Sequence, residues 1–444
     1  MSRKEIALKY FREYRDYTEE RVKSGIELYR KGYAEIEVTD GKGNPVKGVK
    51  IMARQKNHEF KYGANIFMLD EFDDEEKNQI YREKFRSILN LATVPFYWSD
   101  LEPEQGKPRY AKDSPRIYRR PAPDLCVEYC VENGIEPKCH CLNYDNFIPD
   151  WLRDADVEYH KKMLEKRFCE IAERYADRIP SFEVTNETFN YYMCYQTKFY
   201  QEDDFVEWSF RTAEKYFPNN RLIINDYALF DNCWFRENRS PYFMQIERLL
   251  RNGITHLDSI GMQFHSFFDL EQEGTRAEVR YNPMHLYRVL DKYAELGKRI
   301  QITEMTIPAY SAKAEDEEIQ AELIANLYPL FFSHPAMEAV IYWNLPDGYA
   351  AFAPQGDMTA GENKYYGGLL RYDLSEKPAY QVIKNLFTKE WHTETETVTD
   401  EAGRARFRGF YGDYELNIAS DGKMLTKTLT LSSRKNNVNK IVLD

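Results

Sequence analysis

Eight short apolar runs, separated by stretches long enough for crossover helices, predict an α/β fold closed into a (β/α)8 barrel. Two observations carry this expectation: the regular spacing of the runs, and the polar residues that gather at their C-terminal ends. The runs are FKYGANIF, LATVPFYW, IEPKCHCLNY, SFEVTNE, RLIINDY, SIGMQFH, RIQITEM and EAVIYWNL. They begin near residues 60, 91, 135, 181, 221, 259, 299 and 338. Neighbouring starts lie roughly 30 to 45 residues apart, and a parallel pair of strands needs a connection of about a dozen residues or more. Segments such as ADVEYHKKMLEKRFCEIAERYADR have the periodicity of the helices that would fill those gaps. Eight such units over about 330 residues match a TIM barrel.

The flanks read differently. Residues 1–33 are expected to form an N-terminal helix. Residues 34–58, AEIEVTDGKGNPVKGVKIMARQKNH, alternate polar and apolar around DGKGNP and read as a β-hairpin. Residues 389–444 have the same texture. Val38-Thr39-Asp40 followed by Gly43 is echoed by Val398-Thr399-Asp400 followed by Gly403. The two terminal segments are therefore expected to build a small accessory β unit, a shared sandwich packed on a barrel of residues 59–388.

Composition narrows the function classes. In 444 residues, 43% hydrophobic content is enough to bury a sizeable core. A formal charge of −12 argues against nucleic acid or an anionic membrane as main partner and suits a neutral substrate. No apolar stretch of signal-peptide length opens the sequence, and no run is long enough to span a membrane. The seven cysteines are odd in number and lack paired zinc spacing. A reduced, cytoplasmic setting is expected, with secretion left open if a leader preceded this sequence. On a strand, Cys139 and Cys141 of KCHC face one way and His140 the other, so no metal site is expected. The sequence does not fix an oligomeric state.

In a (β/α)8 barrel the strand bodies pack a core, and their C-terminal ends open onto the active-site face. Tyr144 and Asp145, Asn186 and Glu187, Asn225 and Asp226, Gln263 and His265, Glu304, Trp343 and Asn344 all fall at such ends. Glu187 ends the fourth strand and Glu304 the seventh, so the two should face each other across the mouth. Two opposed carboxylates are what glycosidic bond cleavage requires. One donates a proton to the leaving oxygen, and the other attacks or activates water. His265 is placed to hydrogen-bond Glu304, and Asn186 to reach a sugar hydroxyl.

At these residues the chain resembles the retaining xylanases of glycoside hydrolase family 10, over roughly residues 50 to 388. FEVTNET is similar to the family's acid/base motif through Asn186 and Glu187. QITEMTI is similar to its nucleophile motif through Glu304. LIINDYAL resembles the Asn-Asp-Tyr strand, with Asn225. SIGMQFHSF matches a Gly-Leu-Gln-Gly-His run through Gln263 and His265. CHCLNYDNFIPDWL resembles the segment carrying a sugar-binding His, at His140, with Tyr144 where a Trp is usual. VIYWNLPDGY puts Trp343 at a platform position. The resemblance implies a TIM barrel and double displacement, with Glu304 as nucleophile and Glu187 as acid/base. It implies a β-linked carbohydrate as partner, no cofactor and no metal.

The departures lie on the glycone side. Val94 and Tyr97 stand where the family carries an Asn and a Lys, and a phenol cannot supply an ammonium's donors. Tyr97 is still counted among the substrate-binding positions, and Ala351 and Phe352 lie where a second Trp is usual. The leading expectation is a retaining β-glycosidase that cleaves β-1,4-xylosidic bonds in xylan or xylo-oligosaccharides. An exo-acting β-glucosidase or β-xylosidase on small glycosides is the alternative. A non-catalytic carbohydrate-binding barrel is the third.

Overall fold

A computed structural model describes residues 2–189, 196–227, 229–420 and 423–443. The N-terminal segment is three short helices, Arg3–Ala7, Lys9–Glu13 and Arg15–Tyr29, with breaks at Leu8 and Tyr14. The single helix expected for residues 1–33 is thus bent twice. The bends bring Ala7, Leu8 and Phe11 into the barrel's hydrophobic cluster. Strand β1 (Lys31–Asp40) follows at once, then β2 (Lys50–His58).

All eight expected barrel strands form. They are β3 (Lys61–Asn65), β4 (Leu91–Pro95), β5 (Glu136–His140), β6 (Ser181–Asn186), β7 (Arg221–Asp226), β8 (Leu257–His265), β9 (Arg299–Thr306) and β10 (Met337–Tyr342). Each pairs parallel with its neighbour in chain order, and β10 closes the ring on β3. Helices such as Val157–Tyr175, capped by Asp156, pack outside. The strand bodies are buried throughout, as in parallel sheets covered on both faces.

Five more strands follow: β11 (Glu394–Val398), β12 (Arg404–Phe410), β13 (Gly412–Ser420), β14 (Lys423–Leu431) and β15 (Val438–Leu443). They join β1 and β2 in two sheets, of order β12-β1-β15 and β11-β2-β13-β14. Residues 34–58 therefore do not form the expected hairpin, because β1 and β2 lie in different sheets. Each instead pairs antiparallel with a C-terminal strand, β1 with β12 and β2 with β11. The echoed sequences explain the pairing. Asp40 Oδ1 accepts from the amides of Lys42 and Asn44, and Asp400 Oδ1 accepts from those of Ala402 and Arg404. Gly43 and Gly403 both take the left-handed conformation these turns need. Both turns carry the chain from one sheet to the other, and Thr399 Oγ1 binds them together by accepting from Val49 N and donating to Val46 O. Ala34, Ile36 and Val38 of β1 face Ile51, Ala53, Leu416 and Ile418 in an apolar core. Among the described residues no helix is long and apolar enough to cross a membrane.

Candidate active site

The C-terminal ends of the barrel strands surround a cavity of about 660 Å³. Of the ten residues singled out from sequence, nine line it: Glu187, Glu304, Asn186, His140, Tyr144, Tyr97, Gln263, His265 and Trp343. The tenth, Asn225, was expected to bind substrate and instead lies behind the wall, fully buried. Its Nδ2 donates to Asn186 Oδ1 (2.7 Å) and to Glu304 Oε1 (2.9 Å), and its Oδ1 accepts from Thr303 Oγ1 (2.5 Å). Gly261 makes this possible, since a Cβ there would meet Asn225 Oδ1 at 2.5 Å. Asn225 is thus a positioning residue.

The two glutamates are tied through one chain of amides. Gln263 Nε2 donates to Glu187 Oε1 (3.1 Å) and lies 3.4 Å from Asn186 Oδ1, which also accepts from Asn225. Asn225 continues the chain to Glu304. A register shift between β8 and β9 at Met262/Gln263 sets Gln263 opposite Glu304 and His265 opposite Thr306. Such irregularities re-aim side chains beside functional sites.

Glu187 lies one residue past β6, at φ +51°, in the left-handed region that costs a non-glycine residue about 1–3 kcal/mol. The next residue secures the turn, as Thr188 N and Oγ1 both donate to Asp226 Oδ2 at 2.8 Å. Burial pushes the Asp226 carboxyl up to about 7. Tyr144 Oη donates to Glu187 Oε2 at 2.8 Å, so the residue in the family's Trp position orients the carboxylate.

Glu304 sits inside β9. Burial pushes its carboxyl up to about 8; His140 pulls it down, and the carboxylates of Glu183 and Glu187 push it up. Asn225 and His265 favour its ionised form. His265 Nε2 lies 3.1 Å from Glu304 Oε2, and its Nδ1 lies 2.9 Å from Thr306 Oγ1. Burial lowers the imidazole to about 4, so it is neutral. With the Thr306 hydroxyl donating to Nδ1, Nε2 carries the hydrogen and donates to Glu304.

His140, expected as a sugar ligand, lines the cavity. Both of its nitrogens are engaged, Nε2 with Tyr97 Oη at 3.0 Å and Nδ1 with Glu183 Oε2 at 2.5 Å. Glu183 also takes the Lys138 ammonium, and all three groups are buried. Burial alone would push Glu183 up, but Lys138 and His140 overwhelm it and hold the carboxyl at about 2. The expectation of dry strand bodies is therefore corrected, because the barrel carries an ion pair directly beneath the site. His140, Glu183 and Glu304 offer ligand atoms within 4.8 Å of one another, a spacing a metal ion could use. Lys138 already supplies a cation to this cluster. Val94, at the family's Asn position, is buried in the hydrophobic core and is not part of the cavity wall.

Several wall residues were not singled out from sequence. Phe67, Arg119, Arg120, Asp231, Arg276, Arg280 and Glu362 come from loops or short helices, where no strand periodicity marks them. Glu183 was more accessible to reasoning, as a carboxylate in a strand otherwise expected to be dry. Its partner Lys138 could be found only through the pairing of β5 with β6.

The ring and its rim define the class: a (β/α)8 barrel with two glutamates in one cavity at its C-terminal mouth. The chain belongs to glycosyl hydrolase family 10, whose family model matches residues 52–386. Endo-1,4-β-xylanase B of Thermotoga neapolitana is 23% identical over 355 residues, covering 77% of this chain and 92% of that protein. Endo-1,4-β-xylanase 1 of Arabidopsis thaliana is 23% identical over 391 residues, 85% of this chain and 35% of that protein. Anti-sigma-I factor RsgI6 of Acetivibrio thermocellus is 23% identical over 401 residues, 89% of this chain and 46% of that protein. The chain thus spans less than half the length of the last two. Xylanase 10B of Thermotoga petrophila RKU-1, solved in complex with xylobiose, superposes with a TM-score of 0.59 at 25% identity, over 75% of this chain and 95% of that one.

Proposed function

We propose that this protein hydrolyses β-1,4-xylosidic bonds in xylan or xylo-oligosaccharides with retention of configuration. The observation that carries this reading is the amide chain that holds Glu187 and Glu304 together in one cavity. The xylanase names of the relatives support the sugar.

In this reading Glu304 attacks the anomeric carbon while Glu187 protonates the leaving oxygen. Glu187 then takes a proton from water, which displaces Glu304 from the glycosyl-enzyme intermediate. The first step needs one proton on the pair, placed on Glu187; the second starts with Glu187 ionised and Glu304 esterified. Burial favours the proton on Glu304, whereas Asn225 and His265 favour charge there. The active form is one arrangement of a single shared proton. It is lost when that proton leaves.

The wall around Tyr97, Phe67, Trp343, Tyr144 and Phe147 is one aromatic cluster. With Tyr97 spent on His140, this side has fewer donors for sugar hydroxyls, which favours an exo-acting enzyme on short glycosides as the second reading. Digestion of xylan and of xylotetraose, with product size and anomeric configuration followed by NMR, tests both. Internal cleavage with a β-product supports the first reading. Release of single sugars supports the second, and an α-product rules out double displacement.

A further inference from the structure

Across the cavity from Tyr97 and His140, the wall is built from a different chemistry. Asp231 follows β7, and Arg276 and Arg280 lie on the helix Glu273–Arg280 after β8. Asp231 Oδ1 is 3.4 Å from Arg276 Nη1, and Asp231 Oδ2 is 3.1 Å from Arg280 Nη2. One carboxylate therefore serves two guanidinium groups. Arg280 is buried against the Phe264 ring, and its Nη1 has no hydrogen-bond partner among the described residues. The Arg276 side chain is 41% exposed. Leaving a buried guanidinium with half a counter-charge is costly, and a second anion would relieve it.

Arg119, Arg120, Arg276 and Arg280 line the cavity together with the carboxylates of Asp231, Glu362, Glu187 and Glu304. Two of these arginines, Arg276 and Arg280, share the single carboxylate of Asp231. Arg120 is already paired with Asp100, and Arg119 with Asn344 and the Tyr349 carbonyl. Arg276 and Arg280 have only Asp231 between them as a hydrogen-bonded carboxylate among the described residues.

We propose that Arg276 and Arg280 form a carboxylate-binding subsite on the leaving-group side of the cleft, so that the preferred substrate is acidic there. This rests on the reading that the cavity takes a sugar chain. A carboxylate is planar and bidentate, which a guanidinium matches and a hydroxyl does not. Two sources carry this chemistry: a uronic acid branch on the sugar backbone, or an acidic group on the aglycone.

The test is calorimetric binding to the full chain carrying Glu304→Gln, which needs no turnover. Xylotetraose is compared with the same chain bearing one glucuronic acid branch, and phenyl β-xyloside with 4-carboxyphenyl β-xyloside. At least one acidic ligand is expected to bind about tenfold tighter than its neutral counterpart, and the ligand that does identifies the source. Adding Arg276→Gln, an exposed change, should bring that ratio toward one, and Arg276→Gln with Arg280→Gln should abolish it. Asp231→Asn should raise it, and 0.5 M salt should shrink it. Equal binding of acidic and neutral ligands by the Glu304→Gln protein overturns the proposal. So does a ratio that survives loss of both arginines. Failure of every neutral and acidic sugar to bind would instead overturn the sugar reading, and the subsite with it.

Discussion

The barrel and the sandwich bury their interiors equally well but fill them differently. The sandwich core is apolar throughout, built from Ala34, Ile36, Ile51, Leu416, Ile418 and their neighbours. The barrel interior carries Lys138, Glu183, His140 and Glu304 in contact, all buried. A core that serves only to hold two sheets together has no use for charge, because burying an ion costs more than burying a methyl group. The barrel accepts that cost where a carboxylate must be held at a chosen orientation and charge. The comparison teaches where to expect activity to fail and where stability to fail.

The sharpest way to break it is at Glu304. Glu304→Gln is expected to lower kcat on an aryl β-xyloside by at least about 10⁴-fold. It should also stabilise the fold at alkaline pH. The folded carboxyl is raised from 4.5 to about 8. Its contribution is therefore complete below pH 4.5 and is lost as pH rises through 8. Melting of the variant and the parent should coincide in acid and separate in favour of the variant by pH 9. Glu183 has the opposite sign. Its carboxyl is held at about 2, so it stabilises above its unfolded value near 4.5 and loses that contribution as pH falls through 2.

Glu183→Ala strands the Lys138 ammonium and is expected to cost about 3–5 kcal/mol in urea unfolding. Replacing both members, with Lys138→Met and Glu183→Leu, should recover most of that stability. Activity should stay low, because His140 loses the partner of its Nδ1. If activity returns with stability, the pair is merely structural. In the sandwich, Leu416→Ala should cost about 2–5 kcal/mol of stability and leave KM unchanged. A changed KM would mean that the sandwich acts on the cleft. The smallest effect should come from Thr399→Val, which removes the hydroxyl joining the two turns and should cost about 1 kcal/mol by thermal melting. Between these limits, the pH profile of kcat/KM should fall on its alkaline side as the carboxylate pair loses its last proton.

The barrel was legible because each parallel strand is buried on both faces and therefore reads as a continuous apolar run. The rim was legible because polar residues interrupt those runs at one end only. Glu187, Gln263 and His265 stand at such interruptions, and their neighbours in space are other strand ends. The hairpin expectation failed for the opposite reason. Alternation in β1 and β2 marks strands with one buried face, but it does not say which strand pairs with which. The true partners, β12 and β11, lie hundreds of residues away. Asn225 was misjudged because a strand-end amide can face the cavity or the wall, and only the space left open by Gly261 decides between them.

By itself the sequence determined the count, order and period of the barrel strands, the residue types at their wet ends and the echoed turns of the terminal segments. These are local properties, set by side-chain polarity and spacing along one strand. Only the tertiary structure decided that Lys138 meets Glu183, that Tyr97 occupies His140, and that Asp231 is shared by Arg276 and Arg280. Charge pairing depends on distances between segments far apart in the chain, and a count of charges along it cannot say which of them are left without a partner.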